Sequence, residues 1–387
     1  SSDADTEALA AGLTEDITSG LSRFPALSVV APQSAGAFRN SPLDVRQVAE
    51  RLSARYVLGG TVRRSAASVR IATHLIDARS GAHLWSETYD QPLADADHFA
   101  IQDDVADRIV ATVADKAGVL ARSMVQATRQ LPLDQLSARE LIFRCWMFQW
   151  HPTPSAHADV RRALEQHLDA RPDNPHLWAE LANMYICEHS LLANPLPDPL
   201  GRAMRTARRT IEIDPGNQEG WEMVALASFY QKDESAMLEA ADRAIRLNPR
   251  NSNALAWMGN IRTHAGDYDR GCELTARAMT LNPSHPGWYH CAPFSRHFAR
   301  EEYADALKAA RRVNMPEFMW MQFAVAAASG QLGLAREGAV AVESLARLAP
   351  ALADEANLRE FVTRWYWPED LIERLTMAGG TRPPLSG

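Results

Sequence analysis

The densest group of metal-ligating side chains in this sequence is His285, His290, Cys291 and His297. Imidazole and thiolate together form a zinc donor set, usually with tight paired spacing. Here the spacings are five, one and six. They place no three donors on one helical face, although His290 and His297 can share a face two turns apart. The cluster therefore reads as structural, and the expectation is that no metal is held.

Other chemistry-bearing patterns are missing. The sequence contains no phosphate-cradling GxxxxGK, no GxGxxG after a strand, no HExxH and no GxSxG. Gly59-Gly60 lies inside an alternating apolar segment, where glycine marks a bulge or a close backbone approach. Asp103, Asp104 and Asp107 sit at the start of a helical pattern, where negative charge suits the helix dipole. Glu234, Glu239 and Asp242 read as a solvated helix face. No catalytic residue and no cofactor is assigned.

The 387 residues carry a net charge of -8, with a pI near 5.9. That balance lacks the basic stripe nucleic acid requires. Cys145, Cys187, Cys272 and Cys291 are far apart, without paired spacing or disulfide density, which fits a reducing compartment. No apolar run is long enough to span a membrane, and no basic segment followed by an apolar one marks a signal peptide. The expected location is cytoplasmic, the alternative being the periplasmic part of a membrane-anchored regulator. The first residue is Ser1, so the chain is expected to be a piece of something longer.

The elements that would position a site are set by a period. Pro215, Pro249, Pro283, Pro316 and Pro350 recur every 34 residues, with one interval of 33. This is the period of stacked helix pairs, which bury their apolar faces only against neighbours. Trp178 and Trp221 stand six residues after Pro172 and Pro215, and Leu181, Ala182 and Tyr185 continue one helical face. Asn or Ser followed by proline starts helices, as in Asn174-Pro175. Ahead of the prolines, Ala203, Ala207 and Ile211, then Ala240, Ala244 and Leu247, mark second helices with small contact residues. The interval from Pro172 to Pro215 is 43 residues, and the excess is a proline-rich loop over 191–199. Ser137 and Glu140 form a capping box that opens a further pair. The pattern predicts about six pairs over 137–380.

The Trp178, Leu181, Ala182, Tyr185 spacing and the Asn-Pro ends resemble tetratricopeptide repeats. That resemblance places the first helix of each pair on a concave side that meets a partner. The residues so placed are Asn183; Glu222, Leu226, Phe229 and Tyr230; then Asn260 and His264. Further along they are His290, Phe294 and His297, then Trp320 and Phe323. Trp257 joins Phe229, Tyr230 and His264 in a third reading, a small-ligand pocket. Lysines that would clamp a peptide carboxylate are missing from this face. The aromatic segment from Phe361 through Trp365, Tyr366 and Trp367 to Pro368 is expected to cap the last repeat, with dimerisation as the alternative.

Ahead of the array, Leu9, Leu13, Ile17 and Leu21 mark an amphipathic helix over 6–23, followed by a buried strand over 27–31 and a helix over 43–53. The period then changes to two across 56–63 and 69–75, with turns at 65–68 and 79–81 and a third strand over 82–89. A helix carrying Ile101, Val105, Ile109 and Val113 ends the unit, taken as 1–125 with a linker over 126–136. Arg55-Tyr56-Val57-Leu58-Gly59-Gly60-Thr61-Val62-Arg63, Val69-Arg70-Ile71-Ala72-Thr73-His74-Leu75 and His83-Leu84-Trp85-Ser86-Glu87-Thr88-Tyr89-Asp90 resemble the TolB-like amino-terminal domain. That domain precedes tetratricopeptide repeats in bacterial class III adenylate cyclases and in winged-helix regulators of the ToxR and CadC kind.

The resemblance implies an α+β sandwich with a mixed sheet lacking its usual first strand, followed by an all-α solenoid. It also implies an output domain upstream of Ser1, and a sheet edge that can add a strand from elsewhere. The function expected is a non-enzymatic regulatory or scaffolding module with a protein or peptide partner, or another copy of itself. A small-ligand sensor is the alternative, and an enzyme without recognisable motif ranks below both. Adding a chelator is expected to leave the melting temperature unchanged; a fall would restore a metal centre at His290 and His297.

Overall fold

The structure is a computed structural model describing residues 2–24, 26–38, 44–92, 98–150, 153–191, 193–365, 367 and 369–379. The chain divides into two compact units, Ser1–Leu131 and Pro132–Gly387.

The first unit opens with α1 (Ser2–Ser22), a short α2 (Pro32–Gly36) and α3 (Val45–Arg51). Asp44 caps α3 by accepting from the Arg46 N–H at 2.7 Å, while its own N–H donates to Gln47 Oε1. Three strands follow: β1 (Tyr56–Arg64), β2 (Ser68–Asp77) and β3 (Ala82–Pro92). They pair antiparallel in the order β1-β2-β3. The central strand alternates as a half-buried strand must, with Val69, Ile71 and Leu75 facing inward. Against them pack Leu9, Leu13 and Leu21 of α1 and Ile101, Val105, Ile109 and Val113 of α4 (His98–Ala114). Gly60 sits where a Cβ would lie 2.5 Å from the Ala72 carbonyl oxygen, which explains glycine in mid-strand.

Two expectations are corrected. Residues 27–31 are extended but pair with no strand, so among the described residues the sheet is antiparallel rather than mixed. Leu27 and Val29 still rest on the core, but a strand needs a ladder partner and none lies beside it. The linker expected from residue 126 begins inside α5 (Val119–Thr128).

The second unit is a run of six helix pairs. In order they are α6 (Ala138–Trp150) with α7 (Pro154–Ala170), α8 (Pro175–Ser190) with α9 (Pro199–Ile213), and α10 (Gln218–Tyr230) with α11 (Glu234–Leu247). The series continues with α12 (Ser252–His264) and α13 (Tyr268–Leu281), α14 (Cys291–Ala299) and α15 (Tyr303–Val313), and α16 (Met319–Gln331) and α17 (Ala335–Leu348). Two helices, α18 (Glu355–Thr363) and α19 (Glu369–Gly379), complete the described chain. Successive first helices α8, α10, α12 and α14 contact one another, so this is a tetratricopeptide-like solenoid in which each pair covers the next.

Three of the turns between helix pairs are closed by a hydrogen bond to a proline carbonyl. Trp178 Nε1 donates to the Pro172 carbonyl at 2.9 Å, Trp221 Nε1 to that of Pro215 at 3.1 Å, and Gln322 Nε2 to that of Pro316 at 2.7 Å. Six residues after the proline, one side chain closes the turn between pairs. Asn174, Asn217 and Asn251 cap the helices that follow. After Pro283 the pattern slips: a 3-10 turn over Gly287–His290 precedes α14, so Ser284 is not a helix cap.

The loop that lengthens one repeat is held by buried charge. Glu188 at the end of α8 is fully buried, and accepts from Arg161 at 2.7 Å, from Arg202 and from the Leu196 N–H at 2.9 Å. Burial pushes its carboxyl upward, but the bonds from Arg202, Leu196 and Arg161 outweigh burial and hold it below the usual range. Leu192 of this loop lies outside the described residues.

Helices α12 and α13 touch backbone to backbone. A Cβ on Gly271 would lie 2.1 Å from Thr263 Oγ1 and 2.5 Å from the Gly259 carbonyl oxygen. Gly271→Ala is therefore expected to destabilise by about 1–3 kcal/mol in denaturant titration, because two backbones must separate. Gly338→Ala in α17, whose nearest neighbour would be Ser329 Cβ at 3.6 Å, is expected to gain up to about 1 kcal/mol from helix propensity.

Candidate functional site

The face built by the first helices is aromatic and already covered. Phe229 and Tyr230 end α10, with ring centroids 4.9 Å apart. His264 occupies the last position of α12, 34 residues after Tyr230, so the period puts both at the same height on adjacent helices. Trp320 and Phe323 come from α16, and Phe294 from α14, 5.2 Å from Trp320.

Across this face runs the carboxy-terminal segment. Trp365 packs on Tyr230 at 5.9 Å and on His264 at 5.5 Å, while Trp367 meets His264 edge-on at 4.6 Å. Phe361 of α18 touches Phe323 at 6.5 Å and Trp365 at 6.3 Å. Arg364 Nη1 donates to the His189 carbonyl at 2.7 Å, at the end of α8. Helix α19 packs on α16, where Gln331 Nε2 donates to the Arg374 carbonyl at 3.3 Å. The segment thus reaches from the second pair to the sixth. It meets the last pair through α19, and its indoles reach back to Tyr230 of α10 and His264 of α12. Tyr366 and Pro368 lie outside the described residues.

His264 is 1% exposed and is surrounded by Phe229, Trp320, Trp365 and Trp367. Its Nδ1 engages the Asn260 carbonyl at 2.8 Å, while Nε2 has no hydrogen-bond partner among the described residues. Burial brings its pKa down to about 4, the Asn260 carbonyl opposing in part, so the ring is neutral. Trp365 Nε1 is likewise buried without a partner. His189, below Tyr230 at 5.3 Å, is also lowered to about 4, by burial and then by the Arg364 charge.

The remaining predicted residues are dispersed. Glu222, Leu226 and Asn260 are buried, and Asn183 is half-buried on α8. Trp257 pairs with Trp288 at 4.7 Å, away from the Phe229, Tyr230 and His264 cluster, so those four do not line one pocket. His290 lies 5.3 Å from His285, and burial with the His285 and Arg312 charges lowers it to about 4. His297 pairs with Glu302 at 2.5 Å, and Cys291 is buried. Among the described residues no group of three or more His, Cys, Asp or Glu side chains could hold a metal ion. In the first unit, a cleft of about 420 Å³ is lined by Arg55, Asp77, Arg122 and Ser123. Arg55 there is paired with Asp77 at 3.1 Å, and the Ser123 hydroxyl with Tyr56. Sequence reasoning missed His189, Phe361 and Arg364 as members of the face; the aromatic carboxy-terminal run was the available signal.

No protein-family model matches the chain. A protein of Rhizobium meliloti (strain 1021) described as "Putative adenylate cyclase 3" is 33% identical over 222 residues, which are 57% of this chain and 37% of that protein. The chain thus spans little more than a third of that relative. Among solved structures, the Cut9–Hcn1 hetero-tetramer of the APC/C is 11% identical over 74% of this chain and 59% of the other, with a TM-score of 0.44. Human IFIT1 as a dimer with m7Gppp-AAAA is 15% identical over 68% and 61%, with a TM-score of 0.46. A tetratricopeptide repeat protein from Parabacteroides merdae ATCC 43184 is 13% identical over 62% and 98%, with a TM-score of 0.37.

The histidine supplies a pH test. Its folded pKa lies below the ordinary 6.5, so the unfolded chain takes up the proton first and stability falls as pH drops from about 6.5 to 4. His264→Leu is expected to flatten that slope by up to one proton, about 1.4 kcal/mol per pH unit, in urea midpoints measured at pH 7 and pH 5. An unchanged slope would show that His264 does not titrate with unfolding.

Proposed function

We propose that this chain is a non-enzymatic regulatory or scaffolding module whose helix array binds a protein or peptide segment on its first-helix face. The first unit is a TolB-like domain that precedes the array in the sequence, and the pair governs an output domain carried by a longer parent. The observation that carries this reading is the face itself: side chains from α10, α12 and α16 receive the aromatic residues Phe361, Trp365 and Trp367 across successive repeats, as solenoid faces receive partner segments. The similarity to the Rhizobium protein supports a cyclase as the output, since the matched part is 37% of that protein and leaves room for a catalytic region outside it.

No described helix is long and apolar enough to cross a membrane, and the three buried thiols of Cys145, Cys187 and Cys291 suit a reducing, cytoplasmic setting. The indoles of Trp365 and Trp367 lie on Tyr230 and His264, which weighs against the small-ligand alternative.

Two measurements test the reading. The chain alone, given ATP and magnesium, is expected to form no cyclic AMP, and formation would overturn the non-enzymatic assignment. Removing residues 132–387 from the full-length parent is expected to change the output rate by about threefold or more. An unchanged rate would overturn the regulatory role.

A further inference from the structure

The covering segment has the character of a ligand. It presents an arginine and two indoles, Arg364, Trp365 and Trp367, which follow α18 and precede α19 in the sequence. Together they meet the first helices α8, α10 and α12. Arg364 binds the His189 carbonyl at the carboxy-terminal end of α8, where the helix dipole favours a cation. Trp365 lies over Tyr230 of α10 and His264 of α12, and Trp367 closes on His264 from the side. The face therefore discriminates by chemistry: a helix end that selects a guanidinium, beside a slot for two indoles.

The fit is incomplete in a way that points to exchange. Trp365 Nε1 and His264 Nε2 are both buried and both lack a hydrogen-bond partner among the described residues. An unmade buried hydrogen bond weakens the closed arrangement relative to one that satisfies the same groups. Polar ties from the described residues of the segment to the array include Arg364 to the His189 carbonyl, Gln331 to the Arg374 carbonyl, and Arg374 to Glu301 at 3.2 Å and to Tyr303; of these only the first lies on the face of α8, α10 and α12.

Resting on the reading of the array as a partner-binding module, we propose that the face of α8, α10 and α12 is a docking surface for a partner segment presenting an arginine and two tryptophans, and that residues 354–379 occupy it in cis until that segment displaces them. The chain thus carries its own competitor. Partner affinity is set by the difference between two similar segments, one tethered and one free.

The test uses the full chain and a fluorescein-labelled peptide of residues 354–379, read by fluorescence anisotropy. The Trp365→Ala/Trp367→Ala chain, with its own segment weakened, is expected to bind the peptide at least tenfold more tightly than the unaltered chain. A peptide carrying the same two substitutions is expected to bind at least tenfold more weakly. Equal binding by the two chains, or no binding by a folded double variant, overturns the proposal. If the double variant loses the circular-dichroism signal of the array, Arg364→Ala replaces it, removing only the tie to His189; a threefold gain is then expected and equality overturns. Light scattering distinguishes a shared segment: a wild-type dimer that becomes monomeric in the variant assigns the occupant to a second copy and overturns occupancy in cis. These readouts concern the face alone, so their failure leaves the parent's dependence on residues 132–387 standing, and failure of that dependence leaves peptide binding untouched.

Discussion

A helix pair has more apolar surface than it can bury within itself, and the architecture of the second unit follows from that deficit. Stacking covers part of it, through contacts of α8 with α10 and of α10 with α12. The ends of the first helices remain, rich in rings, and water is a poor neighbour for Phe229, Trp320 and Phe323. The chain meets this demand with Phe361, Trp365 and Trp367, whose rings lie within 4.6 to 6.5 Å of their hosts. The neutral state of His264 belongs to the same demand, since an imidazolium there would be a buried charge with no counter-ion beside it.

Much of the architecture was legible because it is local. The prolines mark turns between helix pairs, and those at Pro172, Pro215 and Pro316 are closed six residues on by an indole or amide. Helix caps at Asn174, Asn217 and Asn251, the capping box at Ser137 and the hairpins around Ser65 and Gly81 are local as well. What escaped was long-range or conditional. The apolar run 27–31 has the composition of a strand, but a strand is a pairing, and the partner is not decided by the segment. The aromatic tail was visible, but its destination on Tyr230 and His264 depends on a surface assembled from several repeats, which no period encodes. The period placed Phe229, Tyr230, His264, Trp320 and Phe323 on one face, and it spread Trp257, His290 and His297 into unrelated contacts.

The insertion over 191–199 shows how a repeat absorbs an irregularity. Its anchor is Glu188, whose carboxylate lies inside the fold with Arg161 and Arg202 around it. A buried carboxylate is retained only where cations and N–H donors replace its water, and here a backbone N–H of the loop itself, that of Leu196, is one of the donors. The loop is thereby part of the charge's solvation shell. Asn194 and Asp198 adopt left-handed backbone to make the reversals this needs, and Asp198 then caps α9.

A repeat array is ordinarily a one-dimensional object, in which each unit senses only its neighbours and the ends fray independently. The tie from Arg364 to His189 joins the last helices to the second pair, while the indoles next to it touch α10 and α12. That single closure turns an open string into a ring of contacts with long sequence separation, which raises contact order and slows folding relative to a plain solenoid. It also couples the ends, so that loosening the tail reduces the cooperativity of pairs far from it. In mechanical terms, the fold carries a drawstring, and whether it is drawn decides whether the array unfolds as one body or by degrees.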